Sequence, residues 1–170
     1  MKKPIICTYA ICKNETKFAQ KWLKNIWNTG NGSDYICVLD TGSTDNTIEE
    51  LTNTAKELNI PADKFILQQK IISPWRFDVG RNESIKIIPK DKNIDICFCV
   101  DLDELVNKRF WNDLRNMVIK FPSFYKIYYK YAWHVDELGK EQTTFWYDKI
   151  HHLEGWEWKA PVHEYLDIKN

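Results

Sequence analysis

Residues 35–47 are Tyr35-Ile-Cys-Val-Leu-Asp-Thr-Gly-Ser-Thr-Asp-Asn-Thr47, a passage from an apolar run through a polar turn into a helical pattern. The apolar run ends at Asp40 and predicts a buried strand. Gly42 permits a tight turn, and the Ser, Thr and Asp residues after it are of the kind that cap a helix. Apolar residues then recur at helical spacing from Ile48 to Leu58. The passage therefore predicts a strand, a turn and a helix in direct succession.

The same alternation continues on both sides of this passage. Strands are predicted at 4–12, 35–39, 64–67 and 94–100, and helices at 15–27, 47–58 and 78–88. Successive β-α units form a parallel sheet with helices on both faces, and ligands bind beyond the carboxyl ends of its strands. Asp40 and Asp101 both follow strands at that edge, which makes them candidate site residues.

The pattern changes after residue 104. A helix is predicted at 110–119 and strands at 124–133 and 143–152. In the first of these strands Tyr125, Ile127, Tyr129 and Tyr131 alternate with Lys126, Tyr128 and Lys130, a period of two. Two such strands, joined by a polar stretch with Gly139, predict an antiparallel hairpin. The predicted fold class is therefore α/β: a mostly parallel sheet, helices on both faces and an added hairpin.

Composition narrows the function classes. The 170 residues include 24 basic and 24 acidic side chains, so the net charge is zero. This balance argues against a broad attraction to nucleic acid, while a local basic site for phosphate stays open. Five cysteines without a CxxC pair stand in apolar runs, which favours buried thiols and a cytoplasmic protein. No signal peptide or transmembrane segment is predicted, and peripheral attachment at the inner membrane face is left open.

The acidic turn after the fourth strand is a candidate metal site. Asp101 and Asp103 follow an apolar strand directly, and both carboxylates can reach one pocket where the chain turns. Mg²⁺ and Mn²⁺ prefer such oxygen ligands together with phosphates and water. The alternative is a solvated acidic turn. Asp40 presents a similar choice, between accepting a hydrogen bond from a nucleobase N–H and serving only the turn.

Five segments, in order, resemble the motifs of family 2 glycosyltransferases of the GT-A fold. They are Lys13-Asn14-Glu15, residues 40–47, residues 77–83 with Arg81-Asn82, the Asp-x-Asp of 101–103, and Val162-His163-Glu164. The resemblance implies one GT-A domain over 1–170, with a nucleotide-binding half at 1–104 and an acceptor half at 105–170. Family members usually continue further, so this second half is expected to be either truncated at its C-terminus or a compact natural form.

The resemblance also implies a reaction, the inverting transfer of a sugar from a nucleoside-diphosphate sugar, commonly UDP-linked, with Mn²⁺ or Mg²⁺. The acceptor hydroxyl would belong to a glycan, a lipid or a protein. The residues expected to contact the nucleotide are Ile11, Cys12, Glu15, Asp40, Arg81 and Asp101. The expected metal ligands are Asp101, Asp103 and His163.

An inverting displacement needs a base for the acceptor hydroxyl. Glu164 is the first candidate because it adjoins His163, and Glu157 is the second. Trp156 and Trp158 flank Glu157 and are expected either to stack on a sugar or to pack against the sheet.

Two other functions stay open at the level of sequence. One is a non-catalytic remnant that binds a nucleotide or sugar without turnover. The other is a phosphotransferase of the haloacid-dehalogenase type, but there the Asp-x-Asp follows the first strand, whereas here it follows the fourth.

Overall fold

The computed structural model describes residues 2–28, 31–124 and 126–169. In these ranges, four strands alternate with four α-helices, and four further strands then follow in succession. The strands are β1 (Ile6–Cys12), β2 (Tyr35–Asp40), β3 (Phe65–Gln69), β4 (Ile96–Cys99), β5 (Ile127–Val135), β6 (Glu141–His151), β7 (Trp156–Lys159) and β8 (Tyr165–Ile168). The helices are α1 (Thr16–Trp27), α2 (Thr47–Glu57), α3 (Phe77–Lys86) and α4 (Phe110–Lys120), with a short 3₁₀ turn at Lys90–Lys92.

Six strands form one sheet in the order β3-β2-β1-β4-β6-β5. The first four are parallel, β6 runs antiparallel to β4, and β5 runs antiparallel to β6. Strands β7 and β8 pair separately as an antiparallel ribbon. In register, Cys12 lies beside Asp40 and Tyr9 beside Cys99, so the carboxyl ends of β1, β2 and β4 meet at one edge.

Both faces of the sheet are buried. Alternate residues of β1 supply the two cores, because neighbouring side chains in a strand point to opposite faces. Ile6 and Ala10 join one core with the apolar faces of α1, α2 and α4. Cys7 and Tyr9 join the other, which α3 and the β7–β8 ribbon cover. Burial on both sides explains why all seven residues of β1 are buried and apolar or small.

The predicted hairpin is confirmed, with its two strands at 127–135 and 141–151 and a shorter connection between them than expected. Burial alternates along β5, with Ile127 buried and Tyr128 and Lys130 exposed, as the period of two predicts. Tyr125, the first tyrosine of the predicted alternation, lies outside the described residues. Residues 141–146 of β6 are exposed, so this end of the hairpin protrudes from the sheet.

Several predicted boundaries differ from the observed ones. Helix α3 ends at Lys86 rather than at residue 88, because Pro89 disfavours helical geometry in the residue before it. Strand β4 covers only Ile96–Cys99 rather than 94–100. The β7–β8 ribbon was not predicted at all. Along the part of the chain that the structure describes, the helices lack the combination of length and apolar character that crossing a membrane requires.

Candidate functional site

A pocket of about 410 Å³ opens at the carboxyl edge of the parallel strands. Six residues singled out in the sequence contribute to its walls: Ile11, Cys12, Glu15, Arg81, Asp101 and Asp103. They come from the end of β1, the loop after it, helix α3 and the turn after β4. The topology explains this meeting, since ligand pockets of open α/β sheets form beyond the strand ends. We call this cavity the edge pocket.

Asp40 lies behind the wall of the edge pocket and is fully buried. Its carboxylate accepts hydrogen bonds from the backbone N–H of Gly42 (3.1 Å) and of Ser43 (3.0 Å) and from the Ser43 hydroxyl. The neighbouring Thr41 reaches the pocket wall. The carboxylate of Asp40 thus fixes the turn after β2. A contact between Asp40 and a nucleobase stays a prediction.

Two of the sequence motifs hold each other in place. The side-chain carbonyl of Asn14 accepts hydrogen bonds from the backbone N–H groups of Thr44 (2.8 Å) and Asp45 (3.3 Å). The backbone N–H of Glu15 donates to the hydroxyl of Thr47 at 2.7 Å. Asn14 adopts a left-handed backbone with φ of 58°, a conformation that asparagine tolerates better than most residues. This contact places Glu15 at the pocket.

A buried ion network forms the floor of the edge pocket. Arg81 donates two hydrogen bonds to Asp101 (2.7 and 3.0 Å) and one to Glu164 (2.6 Å). The ammonium group of Lys149, on β6, lies 2.8 Å from both Asp101 Oδ2 and Glu104 Oε1. Arg81 and Lys149 are themselves almost wholly buried. The network thus joins α3, the turn after β4 and the added hairpin.

Opposing influences set the charges in this network. Burial alone would raise the pKa of Asp101, but the charges of Lys149 and Arg81 outweigh it and hold the pKa well below its usual range. Burial would lower the pKa of Lys149, but Asp101 and Glu104 raise it above its ordinary value. Burial does raise the pKa of Glu104, despite the nearby Lys149. Asp101 is thus a carboxylate whose two oxygens are both held by cations.

Asp103 differs from Asp101 because it is exposed at the pocket mouth. Burial first, and then the charge of Asp103, raise the pKa of Glu15 across the pocket. Two acids that repel one another at an open pocket fit a hard cation, which takes one or two carboxylates and completes its shell with phosphates and water. Within the described ranges, no three His, Cys, Asp or Glu side chains are grouped to hold an ion unaided. Asp103 and Glu15 are thus the residues of the pocket that could contribute to a metal site, and any further ligands would come from a bound molecule or water.

The Val162-His163-Glu164 segment packs beside the edge pocket. Its neighbour Pro161 accepts a hydrogen bond from the backbone N–H of Phe77 (3.1 Å), and Glu164 binds Arg81. His163 is exposed and has a left-handed backbone with φ of 55°. Glu157 lies on β7, 3.5 Å from the ammonium group of Lys159. The lining of the edge pocket, as far as the structure describes it, includes none of His163, Glu157 and Glu164, and their roles stay predictions.

Sequence reasoning missed Lys149 and the aromatic pair Trp75 and Phe77. The two rings meet edge to face at 5.2 Å and line the edge pocket. A methyl group at Gly80 would lie 3.3 Å from the Trp75 ring, so the glycine makes room for it. The position of Trp75, shortly before a helix, does not by itself indicate a pocket residue. Phe77 begins the motif at 77–83, but the motif assigned it no role.

Comparisons with known proteins place the fold. No family model and no curated protein matches the chain. S. aureus TarS residues 1–349 superimpose with a TM-score of 0.50 at 17% identity, covering 68% of this chain and 32% of TarS 1–349. The same fragment is also known in complex with UDP. The mannosyltransferase PcManGT from Pyrobaculum calidifontis, in complex with GDP-Man and Mn²⁺, gives a TM-score of 0.52 at 18% identity, again covering 68% and 32%.

The chain has a glycosyltransferase-like α/β fold. This confirms the predicted fold class, a mostly parallel GT-A-like sheet with an added antiparallel hairpin. The chain spans about a third of the length of TarS 1–349 and of the mannosyltransferase. At these identities the likeness concerns the fold, and the activity of this chain has to be argued from its own residues.

Proposed function

We propose that this chain is a metal-dependent, inverting glycosyltransferase that moves a sugar from a nucleoside-diphosphate sugar, UDP-linked, to an acceptor hydroxyl. One observation carries the proposal: the wall of the edge pocket includes residues of four motif segments at the carboxyl edge of the sheet, namely Glu15, Thr41, Arg81, and the pair Asp101 and Asp103. The neighbours with a similar fold are known in complex with UDP and with GDP-Man and Mn²⁺.

The electrostatics of the edge pocket support a metal requirement. Glu15, Asp101 and Asp103 place three acids around a site proposed for a diphosphate, which is itself an anion. Arg81 and Lys149 already pair with Asp101, whereas Asp103 and Glu15 have no ion pair within 4 Å among the described residues. A divalent cation, when bound, would supply the positive charge that stabilises a diphosphate leaving group. Asp103 is the first ligand we assign to it, with Glu15 beside it; His163 and Asp101 stay predicted ligands.

The aromatic pair supports a nucleotide ligand. Trp75 is 43% exposed and Phe77 lies against it, so both present ring faces and edges to the edge pocket. Large half-exposed aromatic side chains at a pocket favour a flat partner. The backbone of Ile11 and Cys12 lies in the same wall and supplies further contacts to the nucleoside.

The transfer itself makes one bond and breaks one. The acceptor oxygen bonds to the anomeric carbon, the bond between that carbon and the diphosphate oxygen breaks, and the hydroxyl proton passes to a base. Glu164 and Glu157 stay the predicted bases. Glu164 has a second task in the structure, since its carboxylate neutralises the buried Arg81. The substitution Glu164→Gln therefore removes both the predicted base and the charge that pairs with Arg81. The substitution Glu157→Gln tests only whether Glu157 is the base.

A non-catalytic role in binding nucleotides is the second candidate function. The observation that favours it is the locked Asp101, whose two oxygens are held by Arg81 and Lys149. Such a residue can fix the geometry of a pocket without taking part in catalysis.

Two measurements distinguish these functions. Calorimetry with UDP, with and without Mn²⁺, tests the nucleotide site, and release of free UDP from a UDP-sugar tests turnover. We expect Asp103→Ala to abolish the Mn²⁺-dependent part of UDP binding while the fold survives. The matched control is Glu49→Ala, an exposed acid on α2. Unchanged UDP affinity in Asp103→Ala would refute the assigned site, and binding without turnover would favour the second function.

A further inference from the structure

A second cleft lies next to the edge pocket, between the β5–β6 hairpin and the loop that follows β4. Its volume is about 910 Å³, more than twice that of the edge pocket. Its lining includes Asp103, Glu104, Asn107, Tyr129, Tyr131 and Trp133. We call it the hairpin cleft. Most of its lining residues lie within 105–170, the half of the chain that is predicted to bind the acceptor.

A row of aromatic rings forms one wall of the hairpin cleft. The row begins in the core, where Tyr129 packs against Phe98 at 5.2 Å and Phe110 at 5.8 Å. It continues outward from Tyr131 to Trp133, with ring centroids 6.4 Å apart. Trp133 is 72% exposed although it ends a row anchored in the core. Because Trp133 shares one cleft lining with Tyr131 and Tyr129, its exposed ring belongs to a contiguous aromatic patch, and such patches indicate a binding surface.

Polar groups face the aromatic wall. Asp103 and Glu104 lie at the inner end of the cleft, and Asn107 and Lys108 lie along the loop. An ion pair between Lys130 and Glu141, 2.5 Å apart, closes part of the hairpin side. The cleft thus presents flat apolar faces on one side and hydrogen-bonding groups on the other. Sugars match this combination, because a sugar ring has an apolar C–H face and a rim of hydroxyl groups.

The charges at the inner end narrow the choice of ligand. The carboxylates of Asp103 and Glu104 lie there, and an anionic head group would be repelled by Asp103, the exposed one of the two. A neutral carbohydrate meets no such repulsion, and its hydroxyl groups can donate to the exposed carboxylate of Asp103. This argues for a glycan over an acidic phospholipid.

The two cavities meet at one residue. Asp103 contributes to the walls of both the edge pocket and the hairpin cleft. A chain of sugars lying along the aromatic row would therefore end beside the position proposed for the donor diphosphate. Among the described residues, Asp103 is the one that both linings share, so the two proposed ligands would meet there.

We propose that the hairpin cleft binds a neutral oligosaccharide, the acceptor of the transfer, with Trp133 and Tyr131 against its sugar rings and its terminal hydroxyl beside Asp103. The acceptor role rests on the proposed function, whereas binding of the oligosaccharide does not. This narrows the predicted acceptors, a glycan, a lipid or a protein, to the first.

The experiment titrates neutral hexasaccharides, namely cellohexaose, maltohexaose, chitohexaose and mannohexaose, into the protein without nucleotide, followed by calorimetry. Trp133→Ala is compared with Trp146→Ala, a matched control on the same hairpin. Trp146 is 69% exposed and, as far as the structure describes the cleft lining, is not part of it. We expect at least one hexasaccharide to bind, Trp133→Ala to weaken it about tenfold or more, and Trp146→Ala to leave it unchanged. Trp133→Phe should retain most of the affinity because it keeps a flat ring.

Three results would overturn the proposal: none of the four sugars binds at millimolar concentration, both tryptophan variants weaken binding equally, or the protein binds phosphatidylglycerol vesicles through Trp133 instead. UDP with Mn²⁺ is titrated into the same samples. If UDP binds and the sugars do not, the cleft assignment fails while the proposed function stands. If the sugars bind through Trp133 and UDP does not, the proposed function fails while the carbohydrate site stands.

Discussion

At the scale of single residues, Asp101 and Asp103 have different surroundings and so different expected tasks. Asp101→Asn removes the charge that balances buried Arg81 and Lys149. We expect a loss of about 3–5 kcal/mol in the free energy of unfolding, since breaking a buried pair leaves uncompensated charge. Asp103→Asn removes an exposed charge, and we expect a change within about 0.5 kcal/mol. Urea denaturation of the two variants measures both values, and equal losses would contradict the division of roles.

His151 gives a second residue-scale prediction, for pH. Burial lowers its pKa to about 4, while the hydrogen bond to the His152 carbonyl raises it less, and the charges of His152 and Lys126 lower it further. The ring bonds both the Tyr9 hydroxyl (2.8 Å) and the His152 carbonyl (2.6 Å), which suits a neutral imidazole with its proton on Nδ1.

Because the folded-state pKa of His151 is lowered, the unfolded chain binds the proton first as the pH falls. The stabilisation is full above about pH 6.5 and is lost by about pH 4, a change of about 3 kcal/mol. Urea unfolding of wild type and His151→Gln across this interval isolates the contribution. An NMR titration of the His151 ring with a midpoint near the ordinary value would show that burial has no such effect.

Residue roles could be predicted from the sequence only in part. Asp101 and Asp103 were found because they directly follow an apolar strand, and the topology then places them at the pocket. Lys149 could not be found in this way, because a lysine in a strand is normally exposed. Only the pairing of β6 with β4 places it opposite Asp101. For Asp40, the sequence predicted the turn but not that Gly42 N–H would occupy one carboxylate oxygen and the Ser43 hydroxyl the other.

At the scale of elements, the parallel strands were predictable and the β7–β8 ribbon was not. Strands buried on both faces produce continuous apolar runs such as β1 and β4. Trp156–Lys159 alternates buried tryptophans with half-buried charged residues, a period of two over only four positions. Tertiary contacts hold this segment as a strand. Trp158 pairs with Leu166 of β8, and the backbone N–H and carbonyl of Trp158 both form hydrogen bonds with the side chain of Asn82 on α3.

Helix α3 supplies an element-scale prediction at Gly80. A glycine inside a helix costs about 1 kcal/mol relative to alanine, yet a Cβ here would press on the Trp75 ring at 3.3 Å. We expect Gly80→Ala to displace Trp75 and weaken UDP binding, with little gain in stability. In a Trp75→Ala background the same substitution should stabilise the protein by about 0.5–1 kcal/mol. Thermal unfolding of the four proteins of this cycle tests it, and an equal gain in both backgrounds would show that Trp75 does not need the space.

At the scale of the whole molecule, the buried ion network ties the added hairpin to the parallel half. Lys149 is the only member from β6, and it reaches Asp101 and Glu104 in the turn after β4. Tyr147 packs on the same ammonium group, whose Nζ lies 4.6 Å from the ring centroid. Because Glu104 also lines the hairpin cleft, we expect this network to couple the geometry of the edge pocket to that of the cleft wall.

Lys149→Met tests this connection, because methionine keeps the length of the side chain and removes its charge. Glu104 then loses its paired cation and Asp101 keeps only Arg81, so we expect a loss of about 3–5 kcal/mol in the free energy of unfolding. Amide hydrogen exchange in β5 and β6 should accelerate more than in β1 and β2. Adding Glu104→Gln removes the acid that lost its partner, so the double variant should recover part of the loss, with a coupling energy of about 0.5–3 kcal/mol. Strictly additive losses, or exchange that accelerates equally in all four strands, would mean that Lys149 stabilises the molecule without linking its two parts.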